Sequence, residues 1–327
     1  DLLMGISKQT VNINKLVLKG REGNRIFKYI PHGKDPNIYF PIEDNDLEFI
    51  NFKKSIFKDK KPKFVLYFNS RNIRRKQIPD ALMAFRAFLD SLPEEEAKDC
   101  YMILKTEKVT SAGTDLVKVK EYLFDENYSS NVMFIDQKLS EQQLNWLYNL
   151  ADVQILLTSN EGWGLANTEA MLAGTPIIAN VTGGMQDQMR FVDENGEWFT
   201  PSADIPSNHR GTYKEHGEWA FPVYPTSRSI QGSPPTPYIY DDRCKWEDAT
   251  ERIQECYKLG REKLKQRGLK GREWALSNEA GFTSKHQAQR VMSALNELFD
   301  TWEPREKYEL INTNEYKGKF LNHKIIY

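Results

Sequence analysis

A chain of 327 residues, 39% hydrophobic and 28% charged, has the composition of a globular protein with a sizeable core, and its length allows two domains. Its 45 Lys and Arg against 46 Asp and Glu leave a net charge of -1, so no global field draws it to nucleic acid or an anionic membrane. Cys100, Cys244 and Cys256 form no C-x-x-C pair and suit a reducing, cytoplasmic setting better than a disulfide framework, and no apolar run reaches the roughly 18 residues of a membrane span.

In chain order, residues 1–40 read as the end of one domain and a hinge. Lys15–Lys19 and Arg25–Ile30 suggest a domain edge, and Pro31, Gly33, Pro36 and Pro41 punctuate the hinge after it. Residues 41–290 then alternate short apolar runs with patterns of helical period. The runs Phe64–Phe68, Tyr101–Leu104, Val132–Ile135, Val153–Leu157 and Pro176–Ala179 are expected to be strands buried on both faces. After Pro79 a helix puts Ala81, Leu82, Phe85, Phe88 and Leu89 on one face. Ser140 and Gln143 form a capping box ahead of Leu144, Leu147, Tyr148 and Ala151. A shorter helix over Asn167–Ala173 is stopped by Gly174. The alternation predicts an α/β fold with a Rossmann-like, doubly wound parallel sheet. Periodicity fails over 201–246, an aromatic stretch with Trp219, Phe221, Tyr224, Tyr238 and Tyr240 that reads as an insertion. Helical patterns return over Glu247–Ala275 and Ser284–Trp302, and 291–327 reads as a C-terminal helix and tail.

Four constellations can carry chemistry. The first, Asn160 to Ala170, follows a strand and opens a helix. Gly162 and Gly164 let backbone approach a ligand, and the helix N-terminus suits a diphosphate. Glu161 is placed to accept from sugar hydroxyls and Glu169 from a ribose. The second, Asn69 to Lys76, follows the first core strand. Arg71 and Lys76 are the candidate anion clamp there, able to stabilise charge that grows on a leaving nucleoside diphosphate, and Arg74 and Arg75 are expected to face water or a neighbouring domain. The third, Val181 to Asp187, holds a Gly183–Gly184 turn that either presents N–H groups to a ligand or is an ordinary tight turn. The fourth, Ile30 to Asp35, places His32 near the hinge as a site residue or a structural histidine. No zinc, nucleophile-elbow or Walker pattern is present.

Together these residues resemble the family-four branch of the retaining GT-B glycosyltransferases (glycosyl transferases group 1), mostly their C-terminal donor-binding domain. The E-x7-E motif corresponds to Glu161 and Glu169, the strand-end arginine and lysine to Arg71 and Lys76, and the hinge motif to Ile30–Asp35 with lysine at position 34 in place of valine. Ala170–Pro176 matches the helix end and the strand after it. The resemblance implies a sugar transfer with retention, from a UDP- or GDP-linked sugar to a glycan, lipid or other hydroxyl acceptor, with no metal and no cofactor. By this likeness Arg71 and Lys76 clamp the diphosphate, Glu161 meets the transferred sugar and Glu169 the ribose. Gly162, Trp163, Gly164 and Leu165 line the sugar-phosphate site. Gly33, Lys138 and Leu139 join the donor-binding set, the last two near the nucleobase.

The likeness also implies an N-terminal acceptor domain of which residues 1–30 are only the last piece. The sequence departs from the pattern at Ser70 and Gln77, where glycines are usual, and in the length of 201–246, whose aromatics are expected either to help recognise acceptor or to pack as a decorative loop. The expected location is cytoplasmic, with peripheral membrane association left open. Competing functions are a nucleotide-sugar-binding module without turnover and a GT-B epimerase or phosphorylase.

Overall fold

The computed structural model describes residues 1–303 apart from 59, 206, 234 and 235. The chain opens with β1 (Leu2–Gly5), α1 (Lys8–Val17) and β2 (Ile26–Tyr29), and the two strands pair in parallel. Ser7 starts α1 by accepting from the Thr10 N–H, the usual service of a serine N-cap. Next come α2 (Leu47–Phe57), β3 (Phe64–Asn69), α3 (Ile78–Asp90), α4 (Glu94–Ala97), β4 (Cys100–Lys105), α5 (Leu116–Leu123) and β5 (Val132–Ile135). These are followed by α6 (Glu141–Leu150), β6 (Val153–Leu156), α7 (Leu165–Leu172), β7 (Ile177–Asn180), α8 (Met185–Met189) and β8 (Ala220–Val223). The antiparallel hairpin of β9 (Ser227–Ser233) and β10 (Thr236–Arg243) leads into α9 (Trp246–Leu259), α10 (Arg261–Leu276) and α11 (Ser284–Thr301).

The central sheet has the order β5-β4-β3-β6-β7-β8, with every neighbour parallel. This is the expected α/β, Rossmann-like arrangement. The chain winds outward from β3 through β4 to β5, then returns to the other flank of β3 with β6. The connections at the ends of β3 and β6 therefore leave in opposite directions, and a crevice opens between them at the strands' C-terminal edge. Helices cover both faces, which is why the strands read as unbroken apolar runs: Phe64–Phe68 is at most 2% exposed throughout. The face foreseen on α3 packs as expected, with Ala81, Leu82, Phe85, Phe88 and Leu89 all at 0% exposure. Each of its larger side chains contributes about 1.5–3 kcal/mol by leaving water. The Ser140–Gln143 capping box forms reciprocally at the start of α6.

The stretch 201–246 is not a plain insertion. It contains β8, the sixth strand of the central sheet, so Trp219 and Phe221 are core residues at 6% and 2% exposure. Only Tyr238 and Tyr240, on the hairpin, stand in solvent, at 84% and 54% exposure. Sequence pattern hid β8 because it is four residues long, includes Pro222 and lies at the sheet's edge, where proline is tolerated. At the other end of the chain, α11 runs back to the first unit. It touches β1, pairs Glu297 with Lys28 at 2.5 Å, and its cap residue Thr283 bridges Lys34. The tail beyond 303, part of the stretch read as 291–327, lies outside the described residues. Among the described residues, no helix is long and apolar enough to cross a membrane.

Candidate active site

At the switch point between β3 and β6 lies a pocket of about 370 Å³. Lys76, Glu161, Gly162, Trp163, Gly164, Leu165 and Glu169 all line it, joined by His32 from the hinge and Ile6 from the loop between β1 and α1. Residues 93 positions apart along the chain thus face one space because both turns leave the same edge of one sheet.

The cationic turn after β3 closes as a short 3-10 helix over Arg74–Lys76. It ends on Gln77 in the left-handed region, at φ 51°. The glycine usual at that position is thus replaced with the backbone conformation kept, at a cost of about 1–2 kcal/mol. Ser70, the other departure, adopts no positive φ and needs no glycine. The 3-10 turn carries Lys76 inward, where its ammonium pairs with Glu161 Oε2, the two side chains being 10% and 12% exposed. Arg75 pairs with the same oxygen at 2.9 Å and also donates to the Asn160 carbonyl. This corrects the expectation that Arg75 faces water or a neighbouring domain. Arg74 does face solvent. Arg71 is exposed and does not line the pocket, although it follows pocket-lining Ser70 and its charge is felt at Lys76.

Burial pulls the Lys76 ammonium below the ordinary lysine range, Glu161 opposing and Arg75 and Arg71 adding to the fall. Burial alone would raise the Glu161 carboxyl, but Lys76 and Arg75 outweigh it and hold the group below the usual range. The arrangement is a compensated ion cluster: an entering dianion competes with Glu161 for cations already in place.

Gly183 and Gly184 hold Glu161 from beneath. The Gly184 N–H donates to the Glu161 carbonyl at 3.2 Å, and the Gly183 N–H donates to Ser207. A Cβ on Gly184 would strike the Gly162 carbonyl oxygen. The turn therefore buttresses the glutamate loop, and its N–H groups are not offered to a ligand. Gly164 is the N-cap of α7 at φ 90°, a conformation that lets the chain swing from loop to helix within one residue. Trp163 borders the pocket with its indole buried edge-on against Phe282 at 4.9 Å and its Nε1–H given to Thr168.

Glu169, one turn into α7, faces the same space and is itself held. It accepts from the Tyr148 hydroxyl at 2.7 Å and pairs with Lys34 at 2.8 Å. Tyr148 in turn receives the Asn69 amide at 2.8 Å. Lys34 does not itself border the pocket but holds one of its carboxylates, a role that sequence pattern did not single out. The one available signal was that lysine stands where the hinge motif carries valine.

Three members of the expected donor set lie elsewhere. Gly33 does not line the pocket: its N–H donates to Gln287 at 2.9 Å, and a Cβ there would strike the Thr283 carbonyl, so it is a close-packing glycine against the start of α11. Lys138 is exposed and Leu139 packs against the core beyond β5, two strands from the crevice, and neither borders the pocket.

The first unit is sewn to this edge by Lys8. Its N–H donates to Asp187 at 2.8 Å, and its ammonium donates to the carbonyls of Trp198 and Phe199 at 3.0 and 2.9 Å. Burial raises the Asp187 carboxyl to about 7, against the opposing Lys8 N–H, the Lys8 charge and the Tyr29 hydroxyl.

Comparison with known proteins agrees with this geometry. Residues 48–207 match the family Glycosyl transferases group 1. An uncharacterized glycosyltransferase of Methanocaldococcus jannaschii is 24% identical over 221 residues, 66% of this chain and 50% of that protein, so the chain spans about half the length of this curated relative. Among solved structures, a glycosyltransferase from Rickettsia africae superposes with a TM-score of 0.62 at 13% identity, covering 91% of this chain and 64% of that one. Anabaena HepE in complex with UDP-glucose gives 0.61 at 17% identity over 91% and 64%. Sucrose-phosphate synthase from Thermosynechococcus elongatus gives 0.59 at 18% identity over 92% and 59%. The structural likenesses show the GT-B type of fold, and residues 48–207 are similar to the glycosyl transferases group 1.

Proposed function

We propose that the chain is the donor-binding part of a retaining glycosyltransferase that moves a sugar from a nucleotide-diphosphate sugar to a hydroxyl acceptor. One observation carries the reading: Lys76, Glu161 and Glu169 line a single pocket at the switch point of the parallel sheet. In this reading Lys76 and Arg75 receive the diphosphate, with Arg71 swinging in from solvent. Cations held there act most on the charge that builds as the glycosidic bond breaks. Glu161, released from its ion pairs, accepts from hydroxyls of the transferred sugar. Glu169 accepts from the ribose. With front-side attack, the leaving phosphate takes the acceptor's proton and the anomeric configuration is kept. The acceptor side is completed by chain beyond this one, and the UDP-glucose bound by Anabaena HepE supports a uridine or related diphosphate donor.

The test is calorimetric titration of the chain with UDP, GDP and ADP, beside assays of sugar release and transfer. Tight binding of one nucleotide, weakened by about 1.5–3 kcal/mol in Lys76→Gln as a charged hydrogen bond is lost, is the expected result. Affinity unchanged in that variant would remove Lys76 from the clamp. Binding without any transfer, with the acceptor part supplied, would leave a nucleotide-sugar-binding module. Product NMR showing an inverted anomeric centre would end the retaining mechanism.

A further inference from the structure

A second cavity, of about 480 Å³, opens at the opposite edge of the sheet. Pro62, Asp152 and Pro176 line it, and they precede β3, β6 and β7, whereas the donor pocket is built from residues that come after β3 and β6. The two openings are separated by a strand length, roughly 15–20 Å.

Its charge is lopsided. Among the described lining residues seven are Lys or Arg and three are Asp or Glu; Asp59, between Lys58 and Lys60, lies outside the described residues, and counting it still leaves the cations in excess. The cations arrive from two elements that approach from different sides: Lys53 and its neighbours from the end of α2 and the turn after it, Arg261 and Lys265 from the start of α10. Among the described residues the carboxylates are outnumbered. Asp152 is used structurally, accepting from the Val65 N–H at 2.8 Å and from Arg261 at 2.6 Å. Asp44 is 80% exposed and reaches Lys265 at only 3.4 Å. Lys53 lies half-buried with its ammonium 4.1 Å from the centre of the Phe49 ring. Burial lowers its pKa, Asp44 opposes, and the charges of Arg261 and Lys265 lower it further. Beneath the cations the floor is apolar, formed by Phe49, Phe57 and Leu264.

Like charges held together cost free energy unless something anionic joins them. A monoanion would answer only part of this excess of positive charge, and the volume lies in the range of about 300–1,000 Å³ typical of small-ligand pockets rather than of an extended chain. We infer that this cavity binds a small ligand carrying two or more phosphate charges, gripped by Lys53 and Lys265 with Lys58 and Lys60 at the rim. The ligand is either free in solution or the headgroup of a lipid, and the inference stands independently of the glycosyl-transfer reading.

Inorganic pyrophosphate is the probe, titrated calorimetrically into the full chain carrying Lys76→Gln so that the cationic turn at the other edge is weakened. Adding Lys53→Gln with Lys265→Gln is expected to weaken binding at least tenfold, while Lys15→Gln with Lys19→Gln, two exposed lysines elsewhere, leaves it within twofold. Both pairs spare the Arg261–Asp152 contact, and circular dichroism confirms that the variants are folded. Equal binding with and without Lys53 and Lys265, or an equal loss from the Lys15 and Lys19 pair, overturns the inference. Displacement of pyrophosphate by an equal concentration of a glutamate decapeptide also overturns it, since the surface would then be one for acidic protein. Vesicles of phosphatidylcholine doped with phosphatidylinositol 4-phosphate, or with phosphatidylglycerol at matched charge, separate the two sources. Capture that needs phosphatidylinositol 4-phosphate and Lys53, and that pyrophosphate reverses, identifies a headgroup; retained pyrophosphate binding without capture identifies a free ligand; equal capture by phosphatidylglycerol overturns the requirement for two phosphate charges.

Discussion

The two edges of the central sheet treat charge in opposite ways. At the C-terminal edge the ions of the pocket are paired: Lys76 and Arg75 share Glu161, and Lys34 holds Glu169. At the N-terminal edge the described lining of a cavity holds more cations than carboxylates. A compensated cluster is stable alone and yields only to a ligand that replaces its internal partners. An uncompensated one has no internal partner to give up when an anion of matching size arrives. The first favours discrimination between ligands and the second favours capture.

The sharpest way to break this contrast is to uncompensate the donor edge. Glu161→Ala is expected to lower sugar transfer roughly 10²- to 10³-fold, the usual cost of removing one preorganised polar group. The same change leaves Lys76 and Arg75 without their carboxylate, so pyrophosphate is expected to bind more tightly at that edge as transfer falls. Both are read on one preparation, by turnover and by calorimetry. Pyrophosphate affinity that falls together with turnover would show that Glu161 is not the internal competitor.

Next in size is a pH effect at the seam that fixes this edge. Burial raises Asp187 to about 7 in the folded chain, above its unfolded value. Stability from such a group is fully present below the unfolded pKa, near 4, and is lost as pH rises through about 7. The loss is of order 2–4 kcal/mol. Urea denaturation at pH 5 and pH 7.5 is expected to show this decline, and Asp187→Asn, which keeps the acceptor for the Lys8 N–H, is expected to flatten it. An identical decline in the variant would clear Asp187 of responsibility.

Smaller again is Gly184→Ala. Its Cβ must push the Gly162–Trp163 backbone aside, costing about 1–3 kcal/mol as overpacking does, and nucleotide affinity is expected to fall with it. Stability lost with affinity intact would mean that the buttress does not position the glutamate. The smallest effect is expected from Lys34→Val. Removing a partly exposed partner of Glu169 is worth about 0.5–1 kcal/mol, so nucleoside diphosphate binds two- to fivefold more tightly once the carboxylate is free for ribose. Weaker binding would instead make Lys34 a direct donor contact.

Much of this molecule could be read from its residues, and the misses share a cause. The five strands flanking the crevice announced themselves because burial on both faces demands unbroken apolar runs, and Lys76, Glu161 and Glu169 because strand, turn and helix fell at the required spacing. β8 stayed hidden because an edge strand needs neither length nor a full apolar run and tolerates Pro222. Arg75 was misjudged because adjacent residues on a turn point different ways, and only the 3-10 geometry of Arg74–Lys76 sends two neighbouring cations to one carboxylate. Gly33 was misread because a glycine needed for close packing looks, in sequence, like one needed for a ligand. Lys34 and Tyr148 depend on contacts across more than a hundred and about twenty residues, respectively, which no local pattern encodes.

The edge that concealed β8 has a consequence for the chain in solution. The carbonyls of Trp219 and Val223 accept from β7, so the residues between them that face outward are Ala220 and Pro222. Pro222 has no N–H to offer, and a strand arriving from another molecule would meet a gap in the ladder it needs. Ala220 already gives its N–H to the Gly217 carbonyl at 3.0 Å, so neither outward position offers an incoming strand a donor.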